Sequence, residues 1–236
     1  MKRSKWIRII LPALVAIALL IAFQLINQKT KASTGIGERK TVVLPEGSSL
    51  IMNAGSQVKY NEKTFAEKRI LDFKGEAKFR VRKSDKELEG FLIETQQGLV
   101  RVINARFNLY AREDGFRAEC YKGNLEVRKD GKIMSIGIGE KVKWSKEKQD
   151  FIKEKHYDGN PDWFRRESSY VDTPLELVVR EIERQFGIKI TLDVDPMPYY
   201  TGSFPHDNLQ ATMDNIADPF DLRYEQEGEK MRVWKE

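Results

Sequence analysis

Two histidines, one cysteine and a few paired carboxylates are the main polar groups with which this 236-residue chain could do chemistry. His156 and His206 lie in separate segments. Neither has a Cys, His or carboxylate at the i+3 or i+4 spacing of a helical metal site, so no metal is expected. The pairs Glu87/Glu89 and Asp193/Asp195 could be read as the acid and base of a glycosidase. Both stand among turn residues at strand ends, where carboxylates are solvated, and spacing in sequence does not set the through-space separation such a mechanism needs. The stretch "SIGIGEK" has a Gly-x-Gly core and Lys141, faintly like a phosphate loop, but "EKVKW" after it alternates as a strand does, so the helix N-terminus that would hold phosphate is missing. Its glycines read as a turn. No Gly-x-Ser-x-Gly elbow occurs. Cys120 alternates with Phe116 and Ala118 in "FRAEC", which predicts a thiol buried on a strand face, and a lone cysteine cannot form an intrachain disulfide. The expectation is a protein without catalysis and without a cofactor.

The elements that would carry such a protein begin with an apolar run. Ile9 to Ile26 would span about 27 Å as a helix at about 1.5 Å per residue, close to the thickness of a bilayer core. Its Leu, Ile, Val and Phe residues each favour insertion by roughly 0.3 to 0.6 kcal/mol, and Pro12 falls in the first turn, where a missing N–H costs least. A cleaved signal would need small residues at a cut site. Gln24 to Lys29 offers none, so a retained anchor is expected. Lys2, Arg3, Lys5 and Arg8 precede the run and Lys29 and Lys31 follow it, which points the N-terminus to the cytoplasm. Setting those six cations apart from the net charge of +5 leaves the body near −1, so nucleic acid is not an expected partner.

From Thr41 to about Trp144 the chain reads as short antiparallel strands. "KFRVRK" puts Phe79 and Val81 on one face and Lys78, Arg80 and Arg82 on the other, and "GLVRV", "RFNLY", "NLEV" and "EKVKW" repeat the alternation. Glu46-Gly47, Asp114-Gly115, Lys122-Gly123 and Asp130-Gly131 fall between the runs as turns. A sandwich or jelly-roll-like domain over 41–146 is expected. It follows a short tail at 1–8, the span at 9–26 and a linker at 27–40. A charged connector at 147–167 carries Pro161 and an aromatic anchor, Trp163 and Phe164. A second domain over 168–236 opens on Thr173, Pro174 and Glu176, which read as a capping box. Leu175, Val178, Ile182 and Phe186 follow at helical spacing, and Gly187 is the stop. "IKITLDV" reads as a strand. A second helix starts after Asp207-Asn208 and buries Leu209, Met213 and Ile216, and "FDLRYEQEGEKMRVW" reads as a hairpin turning at Glu227-Gly228. The whole is mainly β, with an N-terminal transmembrane helix and a small α+β unit packing two helices on one sheet.

These residues also carry a family likeness. "VVLPEGSSLIMNAGSQVKY", "KRILDFKGEAKFRV", "VRVINARFNLYA" and "IGIGEKVKW" together resemble the FecR domain of bacterial transmembrane regulators. The likeness rests on Leu44, Pro45, Gly47, Ser48, Asn53, Ser56 and Tyr60, on Gly75, Glu76, Ala77, Phe79 and Val81, and on Phe107, Asn108 and Gly139. The segment from Ser168 is similar to the C-terminal domain of the Bacteroidetes branch of that family, itself related to the short N-terminal domain of secretins and TonB-dependent receptors, through "YVDTPLELVV" and "YYTGSF". One departure is Asn104-Ala105-Arg106, where the family has Gly-Thr, so that strand pair is expected to bend differently.

The resemblance implies a non-enzymatic sensor in the bacterial inner membrane, single-pass, with its C-terminal domains periplasmic. It would contact the signalling domain of an outer-membrane TonB-dependent receptor involved in iron-transport regulation. The expected contact is strand addition at the final hairpin, around Leu222, Tyr224, Met231 and Val233. The family's cytoplasmic domain, which holds an extracytoplasmic-function sigma factor in the manner of an anti-sigma factor, has no counterpart in residues 1–8. Three explanations stand side by side: a separate cytoplasmic partner supplies it, the start lies further upstream, or sigma control has been lost. A module that binds glycan or cell wall as part of the envelope structure is the alternative from a different class.

Overall fold

The structure is a computed structural model and describes residues 14, 16, 17, 28–83, 90–155 and 159–235. The expected transmembrane helix lies outside the described residues except for Leu14, Ala16 and Ile17, which are helical and exposed. Among the described residues no helix is long and apolar enough to cross a membrane. Glu87, Glu89 and His156 also lie outside the described residues.

The first body of structure is a single eleven-stranded sheet. Its strands are β1 (Thr30–Ser33), β2 (Lys40–Val43), β3 (Ser49–Met52), β4 (Gln57–Tyr60), β5 (Ile70–Val81), β6 (Phe91–Thr95), β7 (Gly98–Arg112), β8 (Gly115–Lys129), β9 (Lys132–Gly137), β10 (Glu140–Ser145) and β11 (Asp150–Lys155). A one-turn helix, α1 (Phe65–Lys68), precedes β5. The sheet takes in β1 and β11, from stretches that read as linker and connector, because their polar faces hide the alternation.

Three strands are long rather than short, and each changes partners part-way. β5 pairs with β4 and β6 through its first half and with β3 and β7 through its second. β7 pairs with β6 up to Val102 and with β5 from Ala105, and β8 pairs with β10 before its bend and with β9 after it. Lys122-Gly123 is therefore no turn between strands. It lies inside β8, where Gly123 at φ +78° passes so close to the Asn104 carbonyl that a Cβ would lie 2.0 Å from the oxygen. A glycine with positive φ inside a strand makes a bulge as readily as a hairpin. The register slips between Val102 and Asn104 and again between Arg106 and Phe107, so the strand pair bends at the residues that depart from the family pattern. One pairing, β5 with β6, is parallel.

Bending lets the two halves of the sheet close on one core. Phe79 stacks on Phe107 at 5.1 Å, and α1 inserts Phe65 between Tyr60 and Phe91 at 5.3 and 5.8 Å. Cys120 is fully buried with Phe116 and Ala118, and burial pushes its thiol up to about 11, so it is an inert packing group. The Gly137 and Gly139 stretch forms the β9–β10 turn, and the Gly137 N–H donates to Glu140 at 2.7 Å.

The second body comprises β12 (Glu167–Pro174), α2 (Leu175–Phe186), β13 (Lys189–Asp193), β14 (Tyr199–Pro205), α3 (Leu209–Ala217), β15 (Leu222–Glu227) and β16 (Lys230–Lys235). The helices share a core with two sheets and not one: β12–β14, and β13–β16–β15 with β13 parallel to β16. Alternation predicts strands but not which sheet they join. The expected capping box does not form, because the helix starts one residue later than the sequence predicts. Pro174 is the N-cap and carries no side-chain cap, while the Thr173 hydroxyl donates to the Val171 carbonyl at 3.0 Å. Gly187 closes the helix at φ +73°, and Asn208 caps α3 by accepting from the Ala211 N–H at 3.0 Å.

Candidate functional site

A buried polar junction joins the two bodies. Its floor is the middle of β5. Gly75 has φ +122°, and a Cβ there would lie 2.4 Å from the Ser56 hydroxyl oxygen, so only glycine lets the β3–β4 turn lie this close to the strand. Ser56 Oγ then takes both main-chain groups of Glu76, accepting from its N–H and donating to its carbonyl at 3.0 Å each. This clamp fixes the Glu76 side chain, whose two oxygens accept from Asn53 Nδ2 and Asn108 Nδ2, both at 2.9 Å. Trp163 Nε1, from the 3-10 turn Asp162–Arg165, donates to Asn108 Oδ1 at 3.3 Å.

The other wall comes from α2. Gln185 Nε2 donates to Asn53 Oδ1 at 3.3 Å and to Glu181 Oε1 at 2.7 Å, and Arg184 Nε donates to Glu181 Oε2 at 2.8 Å. Arg184 also reaches Asp114 at 3.6 Å and the Tyr110 hydroxyl at 3.5 Å. Arg112 donates to the carbonyls of Ala54 and Gly55 at 2.8 and 3.0 Å, and Arg117 lies 3.8 Å from Glu76. Asn53, Glu76, Asn108, Arg112, Glu181 and Gln185 are all buried.

The two buried carboxylates are driven apart. Burial, and then the charge of Glu181, raise the Glu76 carboxyl above the usual range, against Arg117, Arg112 and Asn108. Burial would also raise Glu181, but Arg184 and Arg112, with hydrogen bonds from Gln185 and Arg184, outweigh it and hold that carboxyl low. One carboxylate is the stable anion of the junction and the other carries its charge at a cost. Burial likewise pushes the Tyr110 phenol up.

The N-terminal segment is threaded through the same place. Thr34 Oγ1 donates to the Asn53 carbonyl at 2.7 Å and accepts from the Ser56 N–H at 2.8 Å, and the Gly37 N–H donates to the Arg184 carbonyl at 3.1 Å. The guanidinium of Arg39 lies 5.4 Å over the Trp163 ring. The stretch directly after β1 thus touches both bodies.

The sequence motifs divide between core and junction. Leu44, Ala77, Phe79, Val81, Phe107 and Tyr60 fill the apolar core. Pro45 and Gly47 shape the β2–β3 turn, where the Gly47 N–H donates to the Leu44 carbonyl at 2.9 Å and Ser48 Oγ accepts from the Arg82 N–H at 3.0 Å. Gly139 turns β9 into β10. Asn53, Ser56, Gly75, Glu76 and Asn108 converge on the junction. Glu181, Arg184, Gln185, Arg112, Tyr110 and Thr34 were not singled out from the sequence. The available signal was that Glu181 and Gln185 stand four apart beside the apolar stripe of α2.

The hairpin residues lie elsewhere. β16 is the central strand of its sheet, and Leu222, Met231 and Val233 are buried while Tyr224 is half-buried, its hydroxyl bonded to Asp214. Their side chains serve the core, and what this hairpin leaves open is the outer main-chain edge of β15. His206 Nε2 pairs with Ser168 Oγ at 2.8 Å, and burial lowers its imidazole to about 4, so it stays neutral. Asp193 pairs with Arg232 at 2.6 Å, and no metal-holding cluster exists among the described residues.

Two family models match the chain: FecR protein over residues 30–126 and FecR, C-terminal over residues 168–233. The chain belongs to the FecR family. The first FecR model covers Ser56, Gly75, Glu76 and Asn108, and the second covers Glu181 and Gln185, so the junction is built from both. Two crystal structures of a candidate anti-sigma factor from Parabacteroides distasonis ATCC 8503 have similar folds. One has a TM-score of 0.80 at 25% identity, over 89% of this FecR chain and 100% of its own. The other has 0.79 at 25% identity, over 88% and 99%. No curated protein matches the chain.

Proposed function

We propose that this FecR protein is a membrane-anchored periplasmic sensor that passes a signal inward by changing how its two domains meet. Residues 9–26 anchor it in the inner membrane as a single span with the N-terminus in the cytoplasm. The C-terminal domain receives the signalling domain of an outer-membrane TonB-dependent receptor, and an extracytoplasmic-function sigma factor is the target on the cytoplasmic side. The observation that carries this reading is the threading of residues 34–39 through the junction, with Thr34 held by Asn53 and Ser56 and Gly37 held by Arg184. A partner that shifts α2 therefore acts on the segment leading back towards the anchor. The partner adds to the open edge of β15 by main-chain hydrogen bonds.

Successive residues of a strand point their N–H groups to opposite edges, so proline at Glu225 or at Gln226 removes an outward donor in one case and a hairpin donor in the other. Co-purification of the full chain with a receptor signalling domain tests the reading. The better-folded of Glu225→Pro and Gln226→Pro loses the complex. Undiminished binding by that variant would rule out strand addition at β15.

A further inference from the structure

On the outer face of the FecR sheet, three strands bring cations into direct opposition. Arg80 of β5 stands across from Arg106 of β7, and Arg106 stands across from Lys122 of β8. All three side chains are exposed. With Arg82, Lys83 and Asn104 they line a cavity of about 240 Å³ whose described lining holds no carboxylate.

Like charges placed directly across neighbouring strands destabilise a sheet. Elsewhere among the described residues this sheet sets cations directly across in pairs rather than in a row of three, at Lys31 and Lys59, Arg117 and Lys143, and Lys129 and Lys132, and carboxylates stand close to two of these pairs, with Arg117 reaching Glu119 at 3.1 Å and Lys129 reaching Asp130 at 3.4 Å. Lys141 and Lys143 of β10 face Glu154 of β11 at 3.4 and 2.5 Å, Lys153 reaches Glu140 at 3.1 Å, and Arg128 reaches Glu126 at 2.6 Å. No carboxylate among the described residues lies at ion-pair distance from Arg80, Arg106 or Lys122. The unpaired ladder also coincides with the bends in β7 and β8. The register slips on both sides of the segment from Asn104 to Arg106, and Gly123, next to Lys122, adopts φ +78°. Bulges re-aim side chains, and here residues on either side of the bend line one cavity.

We propose that this cavity is a binding site for a phosphate-bearing anion. Guanidinium forks such as those of Arg80 and Arg106 bind phosphate oxygens in pairs, Lys122 adds a compact point charge, and Asn104 adds an amide donor. A multiply charged oxyanion between the three strands relieves their mutual repulsion, so binding stabilises the sheet. The cavity is small for an elaborate organic ligand and suits a diphosphate or a phospholipid headgroup, which share this chemistry.

Calorimetric titration of the full chain in non-ionic detergent separates the two sources. The probes are inorganic pyrophosphate in one arm, and soluble dihexanoyl phosphatidylglycerol against dihexanoyl phosphatidylcholine in the other. Saturable binding of pyrophosphate alone assigns the site to a free phosphate, and binding of phosphatidylglycerol but not phosphatidylcholine assigns it to a lipid headgroup. In either case Arg106→Gln weakens binding by about tenfold or more, Arg106→Lys recovers part of it, and salt competes. Without ligand, Arg106→Gln raises the melting temperature by roughly 1 to 3 °C, because it removes repulsion and no partner. A misfolded variant would instead melt lower, and Lys122→Gln then provides the same comparison. Absence of saturable binding to all probes, or equal affinity in wild type, Arg106→Gln and Lys122→Gln, overturns the proposal.

Discussion

Two places in this molecule are buried to the same depth with opposite chemistry. In the FecR core, Phe79, Phe107, Phe65 and Phe91 lie at 1% exposure or less, held by contacts that need no particular direction. In the junction, Asn53 and Asn108 are equally hidden at 0% and 1%, but each is held by partners at fixed angles, within a network that also takes in two carboxylates and three arginines. Apolar burial sets how stable the sheet is. The junction sets how the domains sit against each other, because a buried charge or amide tolerates only the arrangement that satisfies it. Removing one member of such a network leaves its partners unsatisfied, so the contact is specific and also easily upset.

That contrast can be broken from either side. The largest effect belongs to the core: Phe107→Ala is expected to cost about 3 to 5 kcal/mol and to lower the denaturant midpoint of the FecR domain as a whole. Next come the junction carboxylates, whose pH dependences have opposite sign. Glu181 is held below the ordinary 4.5, so its contribution is complete above that value and disappears as the pH falls through its lower folded value. The stability deficit of Glu181→Gln is therefore expected at neutral pH and shrinks on acidification. Glu76 is raised from 4.5, so its cost appears as the pH rises, and Glu76→Gln gains on wild type from acid towards neutral pH. Melting curves from pH 3 to pH 8 distinguish the two, and parallel curves for both variants would remove the assignment. The smallest effect is the exposed Arg180–Glu176 pair on the outer face of α2, where Arg180→Ala is expected to cost less than about 0.5 kcal/mol.

The same contrast explains what the sequence made legible. Alternation located Phe79, Val81, Phe116, Ala118 and Cys120 on buried faces, and capping and stop residues located α2 and α3, because these follow from local physics. β1 and β11 escaped, since "TKAS" and "DFIKEK" bury too few apolar side chains to show a period. Gly123 was misplaced because positive φ serves a bulge and a turn alike. The FecR half of the junction was visible only as family motifs. The helical half was not visible, since Glu181 and Gln185 look like ordinary solvated positions until Asn53 is brought against them from far along the chain.

The hydrogen bond from Gly37 to the carbonyl of Arg184 also bears on the order of assembly. The partners are distant in sequence, so on a chain made from its N-terminus the sheet can be largely built while this latch still lacks its receiver. Residues 34–39 are thus committed late, once α2 has emerged and folded. The nascent protein passes through an open form in which this segment is docked at Ser56 on one side only.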